Sequence, residues 1–178
     1  MRRQGWGAVT NASVHRPQGG ALGDVILELE RNMLLGIPPV LGPDMLHTLR
    51  SMGHGDEIAL VDGNYPAQDH ARRLVRADGH GLLTMLQAIL RVLPIDQDVP
   101  PGIFRAALQN DPAQSGAIHA AIDAACARHG YQTKALRGAD LYPRIRAAHT
   151  IVATSETALF ANVILRKGVV TAPAGTPA

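Results

Sequence analysis

Aromatic side chains are nearly missing from this chain: 3% of its 178 residues, one Trp, three Tyr and two Phe. So few rings argue against the base-stacking platforms of single-strand nucleic-acid binders. Cysteine is rarer still. The single Cys126 closes no internal disulfide, so a reducing compartment, the cytoplasm, is expected. No apolar run approaches the roughly 20 residues of a bilayer span, so no membrane partner is expected. A surplus of one charge sign is absent too, with 17 Lys and Arg against 15 Asp and Glu for a formal net charge of +2. The basic residues scatter rather than stripe one face, and nucleic acid is therefore not an expected partner. Gly79-His80-Gly81 lacks the third glycine and the lysine of a phosphate-cradling loop, which sets a nucleotide-binding module aside.

What remains is a composition of 46% hydrophobic and 18% charged residues, suited to one compact domain at this length. Residues 1–32, with Arg2-Arg3, Gly5, Gly7, the Gly19-Gly20 pair and the lone Trp6, read as a loosely ordered N-terminal extension. An organised pattern starts at Met33, so 33–178 is the expected functional domain. Pro43 with Met45, Leu46, Leu49 and Met52 predicts a short amphipathic helix stopped at Gly53. Ile58–Val61, a continuous apolar run between Glu57 and Asp62, predicts a strand buried on both faces. Leu74-Val75, Ile103–Leu108, Thr150–Thr154 and Val163–Leu165 read as further strands. Leu82–Leu93 and Ile118–Cys126, the latter capped near Ser115 and closed by Gly130, read as helices. The alternation predicts an α/β fold, a layered α/β/α single domain with a central, largely buried sheet.

Ligands in such sheets collect outside the carboxyl ends of strands. Asp62–Pro66 occupies such a position. His54 sits in the tight Gly53-His54-Gly55-Asp56 link that feeds the same strand, where flanking glycines let the backbone bend and the imidazole project. On spacing alone a loop histidine is more often solvated or structural than catalytic. Asp56 and Glu57 read as the start of the strand and as groups that orient His54. No histidine pair stands at metal-ligand spacing, so no metal is expected, and His80, His119, His129 and His149 read as surface or cap residues. Arg72, Arg73 and Arg76 read as a solvated strand face or subunit contact, and Cys126 as a small core residue.

Several blocks taken together carry more. Met33–Leu41, then Met52-Gly53-His54-Gly55-Asp56-Glu57-Ile58, Asp62-Gly63-Asn64-Tyr65-Pro66, Arg76-Ala77-Asp78-Gly79 and finally Val152–Val169 resemble, in this order, the ribose pyranase and fucose mutarotase family. The Gly-His-Gly-Asp-Glu link and the Ser155-Glu156-Thr157-Ala158-Leu159 segment are more similar to the fucose branch. The resemblance implies interconversion of the α and β anomers of a free aldose, L-fucose first, without cofactor or metal. It implies His54 as the catalytic general acid, and Asp62, Arg137, Phe160, Ala161 and Asn162 as substrate contacts. An imidazole with an ordinary pKa near 6.5 suits proton transfer in both directions. It also implies a homo-oligomer, a decameric ring among bacterial members, whose pockets a neighbouring subunit completes.

Two positions depart from the family pattern. Phe160 stands where tyrosine is usual and has no hydroxyl. The substrate-binding arginine falls on Gly138, one place after Arg137, which a shifted loop would let substitute. A non-catalytic sugar-binding accessory protein of an uptake or catabolic system is the alternative these changes raise.

Overall fold

The computed structural model describes residues 34–170; the extension expected at 1–32 lies outside the described residues. Six strands, β1 (Glu57–Val61), β2 (Leu74–Ala77), β3 (Ile103–Ala106), β4 (Thr133–Leu136), β5 (Thr150–Thr154) and β6 (Val163–Arg166), form one sheet in the order β2-β5-β1-β6-β3-β4. The helices are α1 (Pro43–Ser51), α2 (Ala67–His70), α3 (Leu82–Leu90), α4 (Ala117–Ala127) and α5 (Gly138–Ala147).

Strand periodicity sorts the apolar residues between two layers. Successive side chains of a strand point to opposite faces. Ile58 and Leu60 of β1 pack with α1, α3 and α4, whereas Ala59 and Val61 pack with α2 and α5; all four are fully buried. Val163 and Leu165 join the first layer and Ile164 the second. A run of apolar residues with no polar alternation is the pattern a doubly covered sheet requires, and the layered α/β/α domain is what forms. Cys126 is part of the first layer; burial, helped by the nearby Asp123 charge, pushes its thiol up to about 12.

One strand decides where the loops gather. β6 runs antiparallel to both β1 and β3, while β1 is parallel to β5, β5 to β2, and β3 to β4. The chain entering β6 therefore arrives at the edge where β1, β3 and β5 end. Asp62, just past β1, and Asn162, just before β6, become neighbours although 100 residues separate them.

The sequence pattern did not mark the four-residue helix α2, nor β4 and α5. β4 is an edge strand of Thr, Lys, Ala and Leu, only partly buried, so it has no continuous apolar run to announce it. α5 carries Pro143 inside it, a residue that removes an intrahelical hydrogen bond and usually argues against a helix. Leu141 and Ile145, four apart on one face and both fully buried, hold it against the sheet. β3 stops at Ala106, short of the expected Leu108, because the chain turns through Gln109 and Asn110 at φ 49° and 63°. α4 starts with Gly116 as its N-cap, one residue beyond Ser115.

Ile164 lies in the middle strand of this arrangement, fully buried. Ile164→Ala is expected to lower the unfolding free energy by about 2–5 kcal/mol, read from urea denaturation followed by circular dichroism; a loss near zero would mean that the second layer is not packed as described.

Candidate active site

At the edge where β1 ends, Asp62 and Asn162 make a reciprocal pair. The Asn162 side-chain amide donates to Asp62 Oδ2 at 3.0 Å, and the Asp62 backbone N–H donates to Asn162 Oδ1 at 3.2 Å. The Asn64 N–H donates to the other carboxylate oxygen at 3.0 Å. Both side chains are buried, 6% and 3% exposed. A carboxylate offers about four acceptor positions, so this one keeps capacity for further donors after binding both partners.

The pair forms the floor of a cavity of about 350 Å³, within the size range of small-molecule sites. Its walls are largely aromatic: Tyr65 after β1, Tyr142 from α5, and Phe160, with the two tyrosine rings 6.1 Å apart. Tyr65 Oη lies 3.0 Å from His70 Nδ1. Burial raises the Tyr65 phenol above its ordinary value, opposed by the Arg146 charge and aided by Tyr142, so it is a neutral hydroxyl at neutral pH. Arg146, one turn beyond Tyr142, completes the wall. A carboxylate, an amide and a phenol around apolar ring faces are the groups that bind a polyhydroxylated ring.

His54 is not in this cavity. It occupies the turn before β1, and the five residues of β1, roughly 16 Å of strand, separate it from Asp62. The turn is tightly made: Asp56 Oδ2 accepts from the Gly53 N–H at 2.8 Å, the Gly55 N–H donates to Lys167 O at 2.8 Å, and Gly55 has φ +83°, which favours glycine. Glu57 is taken up by an ion pair with Arg144, which stacks on Phe104. The imidazole is half exposed, at the rim of an apolar groove that includes Ile37, Leu46, Leu49 and Val169.

A residue the sequence reading passed over faces that ring. Asp96, 3% exposed, has Oδ1 3.7 Å from His54 Nε2 and Oδ2 2.9 Å from Arg166 Nε, an ion pair without hydrogen-bond alignment. Burial pushes the Asp96 carboxyl up, but the Asp98 N–H, Arg166 and His54 outweigh it and hold the group below its ordinary value. His54, Asp96 and Asp98 bring candidate ligand atoms within 4.8 Å of one another; with Arg166 already against Asp96, no cation is needed to balance it.

The remaining expected contacts are distributed as follows. Phe160 lines the cavity. Ala161 is fully buried behind it. Arg137 is exposed at the N-cap of α5 and does not line the cavity, whereas Arg146 does. Tyr142, His70 and Arg146 were missed because nothing in their spacing separates them from surface residues until α5 and α2 are placed.

A sequence profile of the RbsD / FucU transport protein family matches residues 35–170. The chain is 38% identical over 144 residues to the fucose mutarotase of Bos taurus, covering 77% of this chain and 94% of that protein. It is 34% identical over 140 residues to the L-fucose mutarotase of Haemophilus influenzae strain 86-028NP, covering 77% and 97%. Among solved structures, fucose mutarotase from Streptococcus pneumoniae in complex with L-fucose superposes with a TM-score of 0.71 at 39% identity, over 78% of this chain and all of that one. No helix among the described residues is long and apolar enough to cross a membrane.

Because the folded Asp96 carboxyl lies below its ordinary value, its stabilisation is complete above about pH 4 and is lost as pH falls through the lower folded value. Urea midpoints measured down this acid limb should fall less steeply for Asp96→Asn than for the parent chain; parallel limbs would show that Asp96 carries no such charge dependence.

Proposed function

Since the chain belongs to the RbsD / FucU transport protein family, we infer that it is a sugar mutarotase, an isomerase that interconverts the α and β anomers of a free aldose, L-fucose first among them. The observation that carries this reading at the level of residues is the buried Asp62–Asn162 pair flooring a cavity of sugar size. Neighbouring sugar hydroxyls donate to the free lone pairs of Asp62, and the carboxylate charge strengthens those bonds. Phe160 and Tyr142 cover the ring's apolar face, with Ala161 buried behind Phe160. Arg146 supplies the cation that the resemblance sought at Arg137.

Ring opening requires one proton to leave the anomeric hydroxyl and another to reach the ring oxygen; closure on the opposite face reverses both. His54 acts as the general acid toward the ring oxygen while water in the cavity takes the anomeric hydroxyl proton, and closure on the opposite face returns one proton to His54 and the other to the new anomeric hydroxyl. Free sugars already exchange anomers unaided, so a catalyst of this kind supplies about 10²- to 10⁴-fold, roughly 3–5 kcal/mol of barrier. Asp96 faces the imidazole and fixes its surroundings.

Because His54 and Asp62 stand at opposite ends of β1, the reading requires that His54 of one copy reach the cavity of another, and hence a homo-oligomer. The apolar groove beside His54, lined by Val92 37%, Val169 53% and Val170 84% exposed, is a surface suited to that contact. A closed ring, of ten copies as the resemblance implies, gives every cavity its histidine. The cytoplasm, where Cys126 stays reduced, is the proposed compartment.

Magnetisation transfer between the α and β resonances of L-fucose tests the activity. The parent chain should quicken exchange, and His54→Ala should lose the quickening while its urea midpoint stays near the parent value. A chain that shifts or broadens the sugar signals without adding exchange would be a binding protein instead, and unchanged exchange in the variant would remove His54 from the mechanism.

A further inference from the structure

Phe160 is the one cavity-wall residue whose backbone is in an unfavourable region, at φ +61°. A left-handed backbone is disfavoured for any residue with a Cβ and has no local side-chain hydrogen bond to help it here. The conformation matters, because the chain passes at Phe160 from the exposed Leu159 to the fully buried Ala161 and then to Asn162. Something outside the cavity must hold it.

The holder is a histidine from a different layer. His119, in the first turn of α4, is fully buried, and its Nε2 lies 3.1 Å from the carbonyl oxygen of Phe160. Its Nδ1 lies 3.1 Å from the backbone nitrogen of Gly116. A backbone N–H only donates, so Nδ1 must be the unprotonated nitrogen and the ring proton must sit on Nε2, aimed at Phe160. The N-terminus of α4 thus fixes the tautomer, and the tautomer fixes the carbonyl of the wall residue.

We propose that His119 is a positioning residue for the sugar cavity: its Nε2–H tethers Phe160, and through it sets the ring of Phe160 and the amide of Asn162 where the sugar meets them. His119 touches neither the cavity nor His54, so it governs affinity rather than proton transfer. The proposal rests on the sugar reading of the Asp62–Asn162 cavity.

Two substitutions separate the tether from the helix cap. In His119→Asn the amide oxygen falls near the place of Nδ1 and keeps the bond from Gly116, but the side chain is too short for Phe160. In His119→Gln the amide reaches the place of Nε2 and keeps the bond to Phe160. Loss of a buried hydrogen bond of this kind corresponds to about a tenfold effect. His119→Asn should raise the KM for L-fucose by about tenfold with kcat close to the parent value, and His119→Gln should restore the parent KM. Without any sugar present, the Asn162 side-chain amide resonances should move in His119→Asn and stay in place in His119→Gln. An unmoved Asn162 amide in His119→Asn overturns the tether, and so does a KM that follows the urea midpoint in both variants. If His119→Asn does not fold, a shifted Asn162 amide or a raised KM in His119→Gln overturns it on its own. Because the amide readout needs no ligand, a failure of the sugar reading leaves it standing as a separate result.

Discussion

The bond pair between Asp62 and Asn162 is the joint on which the site depends. Each residue alone would be a poor tenant of the interior: a buried carboxylate without partners is costly, and a buried amide needs both ends satisfied. Together, with the Asn64 N–H, they are satisfied and still leave acceptor capacity facing the cavity. The pairing exists only because β6 is laid antiparallel between β1 and β3. Had it run parallel, Asn162 would enter the sheet at the opposite edge. The same reversal brings Lys167 and Arg166 to the His54 turn, where Lys167 bonds both Gly55 and Asp56 and Arg166 meets Asp96. One strand direction therefore organises both ends of the sheet.

Those two ends divide the chemistry of the proposed reaction. One holds a carboxylate, an amide, aromatic faces and a cation, a set that binds hydroxyls. The other holds a half-exposed imidazole beside a buried, charge-balanced aspartate. Within one chain the two sets are separated by the length of β1. In the proposed reading the site is complete only in an assembly, the apolar groove next to His54 is the surface that would form it, and catalysis is tied to association.

Much of the fold was legible because apolar runs without polar alternation mark a sheet covered on both faces; Ile58–Val61 and Thr150–Thr154 are the plainest cases. β4 and α5 were not legible, since the burial of Leu141 and Ile145 overrides the proline that argues against a helix, and an edge strand needs no continuous apolar run. In the cavity, Asp62, Phe160 and Asn162 were singled out by their resemblance to a known pattern, not by spacing. Asp96 and Arg146 carry no local signal: their positions follow from the bridge between Ile95 and Lys167 and from the placement of α5. His119 reads in sequence as a cap, which its Nδ1 is, but its second bond spans 41 residues and no linear pattern displays it. The separation of His54 from Asp62 is equally hidden, for a gap of eight residues says nothing about which end of a strand each one occupies.

The central claim is that one catalytic unit draws its imidazole and its sugar cradle from two copies of the chain. Two inactive variants, His54→Ala and Asp62→Asn, dissociated and reassembled together, test it by anomeric exchange of L-fucose. In an equal mixture about a quarter of the interfaces join an intact His54 to an intact Asp62, so a corresponding fraction of the parent rate should return. A mixture as inactive as its two components, with mixed assemblies verified by mass, would contradict the account.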